Sequence, residues 1–291
     1  MNKTRIKILV SCLVVAVVCV TGVLFYISTA DKFETTSNGP QNTAPQTEPE
    51  QTSAYQTEPG ESKTSPSDTT DNSDDKARYD EIVEILNDPY MKLVNRDNLL
   101  SSSFVPESLT YVNDYRLEST AASALNQMLA AAQNDGYNNF VFYSGYRTYS
   151  SQKNKYETRT QRYLDEGYTL EQAQAKAGEY IAPPGSSEHQ SGLAADVCIP
   201  AIVNKYGNLN EAFDETDDFV WLRDNAHKFG FILRYPKGKE SITGFNYEPW
   251  HYRYVGIEQA TIIHEQGITF EEYHQNLQNE KSELEDKLNL K

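Results

Sequence analysis

Residues 187–196 read SEHQSGLAAD and residues 248–251 read EPWH. The first stretch leaves a glycine- and serine-rich loop and runs into small apolar residues, a pattern that predicts entry into a buried strand over Leu193–Ile199. Asp196 then stands as a charge in a strand otherwise made of Ala194, Ala195 and Val197. A buried carboxylate is paired, hydrogen-bonded or bound to a metal, and on this segment alone a hydrogen-bonded turn is as good an account as a ligand. The second stretch adds Glu248 and His251 around Pro249 and Trp250. Residues three apart in an extended chain face opposite sides unless the chain turns between them, and Pro249 permits that turn. Trp250 can supply an apolar wall beside it. With His189, the two segments offer two imidazoles and a carboxylate as ligands and a second carboxylate as a base. Catalytic zinc sites need three such ligands, an open position for water and a group to take the water's proton. The remaining histidines, His227, His264 and His274, lie in polar helical surroundings and read as surface residues.

Working outward, residues 77–276 read as one domain with a sizeable core. Apolar spacing predicts helices over Ala77–Leu86 and 117–135 and a strand over Phe140–Ser144 that feeds Gly145-Tyr146-Arg147. The polar segment 149–180 reads as two helices broken near Gly167, with Thr169 and Gln172 as a capping box. Helical patterns follow over Phe219–Lys228 and Ile257–Gln266, and strands over Phe231–Tyr235 and Trp250–Val255. Helices and short strands mix without a βαβ repeat. The expected class is therefore α+β, a small and mostly antiparallel sheet with flanking helices. Residues 277–291 are charged, with Leu277, Leu284 and Leu288 at heptad-like spacing over too few turns for a coiled coil, and read as a separate, solvated helical tail.

The N-terminal region is of another kind. Lys3, Arg5 and Lys7 precede an uncharged run from Ile8 to Ile27, long enough to cross a bilayer of ~30 Å as a helix. Residues 1–30 are expected to be a single-pass membrane anchor with the remainder outside the cell. The alternative is a signal peptide cleaved after Ser28-Thr29-Ala30, which would leave a secreted protein. Residues 31–76 are rich in Thr, Ser, Pro and Glu, repeat QTEP at 46–49 and 56–59, and read as a disordered stalk. Two of the three cysteines, Cys12 and Cys19, lie in the apolar run, so Cys198 has no partner for an internal disulfide. The chain carries 26 basic and 42 acidic residues, a net charge of −16. Such a surface repels phosphate backbones and excludes nucleic acid as a partner.

The pattern Ser187-x-His189-x-x-Gly192-x-Ala194-x-Asp196, followed by Glu248-Pro249-Trp250-His251, resembles the zinc D-alanyl-D-alanine carboxypeptidases of the VanY type, in peptidase family M15 and the wider lysostaphin/Hedgehog-like metallopeptidase fold group. The segments SGYRTYSSQ at 144–152, APPGSSEH at 182–189 and FGFILRYP at 229–236 are similar to family segments, and the likeness runs from about Leu93 to Tyr273. The resemblance implies that His189, Asp196 and His251 hold Zn²⁺ and that Glu248 is the catalytic base. It implies that Arg147 stabilises the oxyanion and that Gln152 and Ser187 contact the peptide, with Trp250 beside them. The implied activity is removal of the C-terminal D-Ala from peptidoglycan stem peptides or precursors, and the catalytic domain is expected to be monomeric. On lipid-linked precursors that activity would reduce glycopeptide-antibiotic binding. L,D-cleavage of tetrapeptide stems is the alternative within the class. A zinc-containing wall-binding module, and more remotely a Hedgehog-like signalling domain, are the non-catalytic readings; the intact Glu248 argues against both.

Overall fold

The computed structural model describes residues 72–290. The expected anchor and all of the expected stalk before Asn72 lie outside the described residues. Among the described residues no helix is long and apolar enough to cross a membrane. The first helix among the described residues, α1 (Asn72–Asn87), starts five residues before the predicted domain boundary and buries Ile82. A hairpin follows, β1 (Leu109–Val112) and β2 (Tyr115–Glu118), turning through Asn113 at φ 52°. The sequence reading missed this hairpin and began the next helix at 117; α2 (Ser119–Asn134) instead starts where Glu118 ends β2. The Glu118 carboxylate accepts from the Thr120 and Ala121 amides, so the last strand residue is also the cap.

The principal sheet has four strands in the order β3 (Val141–Ser144), β4 (Ala194–Cys198), β6 (His251–Tyr254), β5 (Phe231–Leu233), every neighbour antiparallel. Between β3 and β4 run α3 (Tyr149–Asp165) and α4 (Leu170–Tyr180). The break at Gly167 and the Thr169–Gln172 capping box are present as the sequence predicts. Between β4 and β6 lie α5 (Pro200–Tyr206), α6 (Asp217–Asn225) and the short α7 (Glu240–Thr243), and α8 (Ile257–Gln266) and α9 (Phe270–Lys287) close the chain.

Two apolar clusters hold these elements. The larger joins α2 to one face of the sheet, where Ala195, Val197, Tyr252 and Tyr254 meet Leu125, Met128, Phe213 and Leu222. The smaller joins α1, α8 and α9 through Ile82, Ile263, Phe270, Leu277 and Leu284. The segment 277–291, expected as a separate solvated tail, is over 277–287 the second half of α9. Leu277 and Leu284, seven residues apart, are buried against α1 and not against a second coil, which is why a heptad-like pattern too short for a coiled coil still forms an ordered helix.

Candidate metal centre

The strand register builds the centre. On β3, β4 and β6, Ser144 pairs with Asp196 and Asp196 pairs with His251, so three side chains lie in one row on the face opposite the larger core cluster. His189 joins them from a 3₁₀ turn, Glu188–Ser191, that leads into β4 and ends at Gly192 with φ 74°. The turn expected at Pro249 is present: the His251 amide donates to the Glu248 carbonyl at 3.1 Å, which brings both side chains to one side.

The ligand atoms converge. His189 Nε2 lies 3.2 Å from Asp196 Oδ2, and His251 Nδ1 lies 3.0 Å from Asp196 Oδ1 and 3.6 Å from Glu248 Oε2. One donor atom from each of His189, Asp196 and His251 falls within 4.8 Å of the others, all three residues being buried. The donors of a tetrahedral zinc lie roughly 3.3 Å apart, as bond lengths near 2 Å require, so the triangle suits that ion. The donor set of two imidazoles and one carboxylate also matches catalytic zinc chemistry. The tautomer of His189 is set from behind, its Nδ1–H donating to the Gly145 carbonyl at 2.8 Å and leaving the Nε2 lone pair toward the centre.

The charges respond to this crowding. Burial works against an ionised Asp196, but His189 and His251 outweigh it and hold the carboxyl far below the usual range. Burial lowers His189. His251, despite burial, is raised to about 9 by its bond to Asp196 and by the nearby Glu188 and Glu248 carboxylates. Glu248 is pushed up to about 7, by burial first and by the Asp196 charge next. Three acids around two imidazoles are an arrangement that a divalent cation relieves.

Arg147 follows β3, its backbone amide bonded to the His189 carbonyl at 3.0 Å. Its Nη1 donates to Gln152 Oε1 at 2.7 Å and its Nη2 to Ser144 Oγ at 2.9 Å. Each terminal nitrogen therefore keeps one further N–H to offer. Gln152, expected to touch substrate, is buried with its amide engaged at both ends, Nε2 donating to the Ala182 carbonyl at 2.6 Å. In this arrangement it holds Arg147. Ser187 is buried at the start of the 3₁₀ turn and its hydroxyl makes no capping bond. Trp250 is half-buried and packs against the larger core cluster.

The family model of VanY, D-alanyl-D-alanine carboxypeptidase, matches residues 114–257, which include every residue of this centre. A D-alanyl-D-alanine carboxypeptidase of Enterococcus faecalis is 41% identical over 181 residues, covering 62% of this chain and 64% of that one. The chain thus spans somewhat less than two thirds of that relative's length. A solved structure of a mutant of the vancomycin resistance D,D-pentapeptidase VanY from a VanB-type cassette, in complex with Zn(II), is 38% identical with a TM-score of 0.54, over 64% of this chain and 98% of that chain. The chain belongs to the VanY family of D-alanyl-D-alanine carboxypeptidases. The LdcB LD-carboxypeptidase shares the fold at TM-score 0.57 and 38% identity, over 65% of this chain and 88% of that chain.

Within this VanY-family centre, sequence reasoning missed a layer of charge behind the ligands. Glu188, Arg234 and Arg253 have side chains with no exposure at all, and Glu271 extends the group from α9. The argument that singled out Asp196 would also have found Arg253, a charge two residues from His251 in a strand whose other residues are apolar or aromatic. Of the three histidines expected at the surface, His264 is exposed, whereas His227 and His274 are half-buried; His227 and His264 stack face to face, ring centres 4.0 Å apart.

Proposed function

We propose that the chain is a zinc-dependent D,D-carboxypeptidase that removes the C-terminal D-Ala from peptidoglycan stem peptides or their precursors. The observation that carries this is the convergence of His189 Nε2, Asp196 and His251 Nδ1 with Glu248 directly beside them. A zinc ion held by those three would supply Lewis acidity and lower the pKa of a water. Glu248, already poised near neutrality, takes the proton of the attacking water and passes it to the leaving amine. Arg147, fixed by Gln152 and Ser144, offers its remaining N–H groups to the carbonyl oxygen as negative charge builds there. Ser187, two residues before His189 and with a hydroxyl that makes no capping bond, is placed to bond the peptide backbone. Trp250 gives the apolar side of the turn that carries Glu248 and His251. The cationic flank and apolar run of residues 1–30 support anchoring with the catalytic domain on the cell-wall side.

L,D-cleavage of tetrapeptide stems is the second reading, favoured by the similarity to LdcB. Mass spectrometry of tri-, tetra- and pentapeptide muropeptides incubated with the zinc-loaded full chain separates the two. Loss of D-Ala from the pentapeptide alone is expected; loss from the tetrapeptide alone would transfer the assignment to the L,D class. The Glu248→Gln variant, with zinc retained, is expected to bind muropeptides without cleaving them. Undiminished hydrolysis by that variant would remove Glu248 from the mechanism.

A further inference from the structure

Glu188 stands next to a metal-centre residue in sequence, yet its side chain turns to another one. Its Oε1 accepts from Arg234 Nε at 2.7 Å and from Arg253 Nη1 at 2.7 Å. Its Oε2 has no hydrogen bond, and neither has His251 Nε2; both atoms are buried and they lie 3.5 Å apart. A buried donor or acceptor left unpaired costs about 1–3 kcal/mol, and a bond between these two atoms would satisfy both. We propose that Glu188 is a positioning residue of the metal centre: its Oε2 accepts the Nε2–H of His251 and thereby keeps Nδ1 as the nitrogen that faces the metal.

The surroundings fit that role better than a purely structural ion pair. If Glu188 served only to neutralise two arginines, one oxygen for each would leave neither oxygen unpaired. Instead both arginines converge on one oxygen, and their other nitrogens are committed elsewhere. Arg234 forks onto the Glu271 carboxylate with Nη1 and Nη2. Arg253 Nη2 donates to the carbonyls of Tyr90 and Lys92 at 2.9 and 2.8 Å. The carboxylate is thus clamped with one oxygen free and turned toward the imidazole. Tyr235 lies against the imidazole, its ring 4.8 Å from that of His251 and tilted by 33°, which restricts rotation of the imidazole. Two guanidinium nitrogens at 2.7 Å from Oε1 compensate the carboxylate's charge without occupying Oε2. His189 has its Nδ1–H fixed by the Gly145 carbonyl in the same manner, so both imidazoles are oriented from behind, one by a backbone oxygen and one by a carboxylate.

The inference rests on the zinc reading of the centre, and the test keeps the two apart. Zinc affinity is measured by competition with a chromophoric chelator on the full chain and on Glu188→Gln and Glu271→Gln, with the melting temperature of each metal-free form recorded alongside. Glu188→Gln is expected to weaken zinc by about 10–100-fold, the usual effect of losing such a partner. Glu271→Gln breaks the far end of the charge network without touching His251; it is expected to lower the melting temperature while zinc affinity stays within about twofold. Equal zinc affinity in Glu188→Gln and the wild type would overturn the proposal and leave the zinc reading standing. Equal weakening by both variants would also overturn it, since the network would then act through stability alone. A wild-type chain that binds no zinc would remove both. Should Glu188→Gln fail to fold, nitrogen-15 NMR of histidine-labelled, zinc-loaded wild type decides: a hydrogen-bonded, exchange-protected proton on His251 Nε2 is expected, and zinc on Nε2 would refute the assignment.

Discussion

Gly145 carries no side chain in the centre, yet replacing it by alanine is expected to damage both stability and catalysis. A Cβ at this position would lie 2.3 Å from the Arg116 carbonyl oxygen and 2.6 Å from Phe142 Cζ. The first is backbone of a paired strand and the second belongs to a core ring 2% exposed, so neither neighbour can give way cheaply. The segment 145–147 must move instead. Overpacking of this kind costs about 1–3 kcal/mol. The bond from the Tyr146 amide to the same Arg116 carbonyl, 2.6 Å long, would be lost or weakened, at about 1 kcal/mol. Together these give roughly 2–4 kcal/mol, and at ~2–4 °C per kcal/mol for a domain of this size the melting temperature should fall by roughly 4–16 °C. The same movement displaces the carbonyl that fixes His189 and the guanidinium of Arg147, and a misplacement of about 1 Å can cost ~10²-fold in kcat. Gly136→Ala is the control: its φ is +95° with nothing within 4 Å of the added atom, so it should lose stability through backbone strain and keep its kcat. Calorimetry and D-Ala release would be read on both variants. If Gly145→Ala matched the wild type in melting temperature and kcat, the close approach would not be what shapes this corner.

Further outcomes follow from other parts of the structure. Arg147→Lys keeps the charge but cannot reach Ser144 and Gln152 together; kcat should drop by ~10²–10³ with zinc affinity unchanged by chelator competition, and a parallel loss of zinc would refute the role given to the guanidinium. Leu277→Ala removes a side chain 3% exposed and should cost about 2–5 kcal/mol in urea unfolding; a cost below ~0.5 kcal/mol would return this half of α9 to the status of a solvated tail. Burial pushes the Cys198 thiol up to about 11, so almost no thiolate exists at neutral pH and the fraction rises only as pH approaches that value. Peptide mapping should find Cys198 unalkylated by iodoacetamide in the native chain and alkylated in denaturant, and rapid native alkylation would contradict its burial.

What the sequence discloses and what it hides divide along a physical line. The residues of the centre were legible because each breaks a pattern: Asp196 is a charge between Ala195 and Val197, and His251 follows a proline turn. The capping box at Thr169 was legible because its bonds are local, three residues apart. The hairpin at 109–118 was not, since Asn113-Asp114 is a weaker turn signal than Asn-Gly and each strand is only four residues long. Nor was the fate of residues 277–287, whose leucines are buried by α1, a helix some 200 residues earlier in the chain. Glu188 was hidden for the same reason. Its partners Arg234, Arg253 and His251 come from β6 and the end of β5, and the segment SEHQ holds no local mark of that destination.

The centre depends on strand register more than on any single residue. Along β4, Ala195 and Val197 enter the larger core cluster while Asp196 faces the other way; along β6, Tyr252 and Tyr254 enter that cluster while His251 and Arg253 face away. Slipping either strand by one residue would put a charge in the apolar cluster and an alanine or tyrosine at the metal centre. Burying an unpaired charge costs several kcal/mol, so the alternation that folds the sheet also excludes a one-residue slip of Ser144, Asp196 and His251 from their pairing. What must be specified in addition comes from turns: the 3₁₀ turn that delivers Glu188 and His189 to two different imidazole positions, and the Pro249 turn that returns Glu248 to the side of His251. Substitutions in the Pro249 turn should therefore change zinc affinity and catalysis with small effects on folding, whereas substitutions at Ala195, Val197 or Tyr252 should abolish activity by unfolding the sheet.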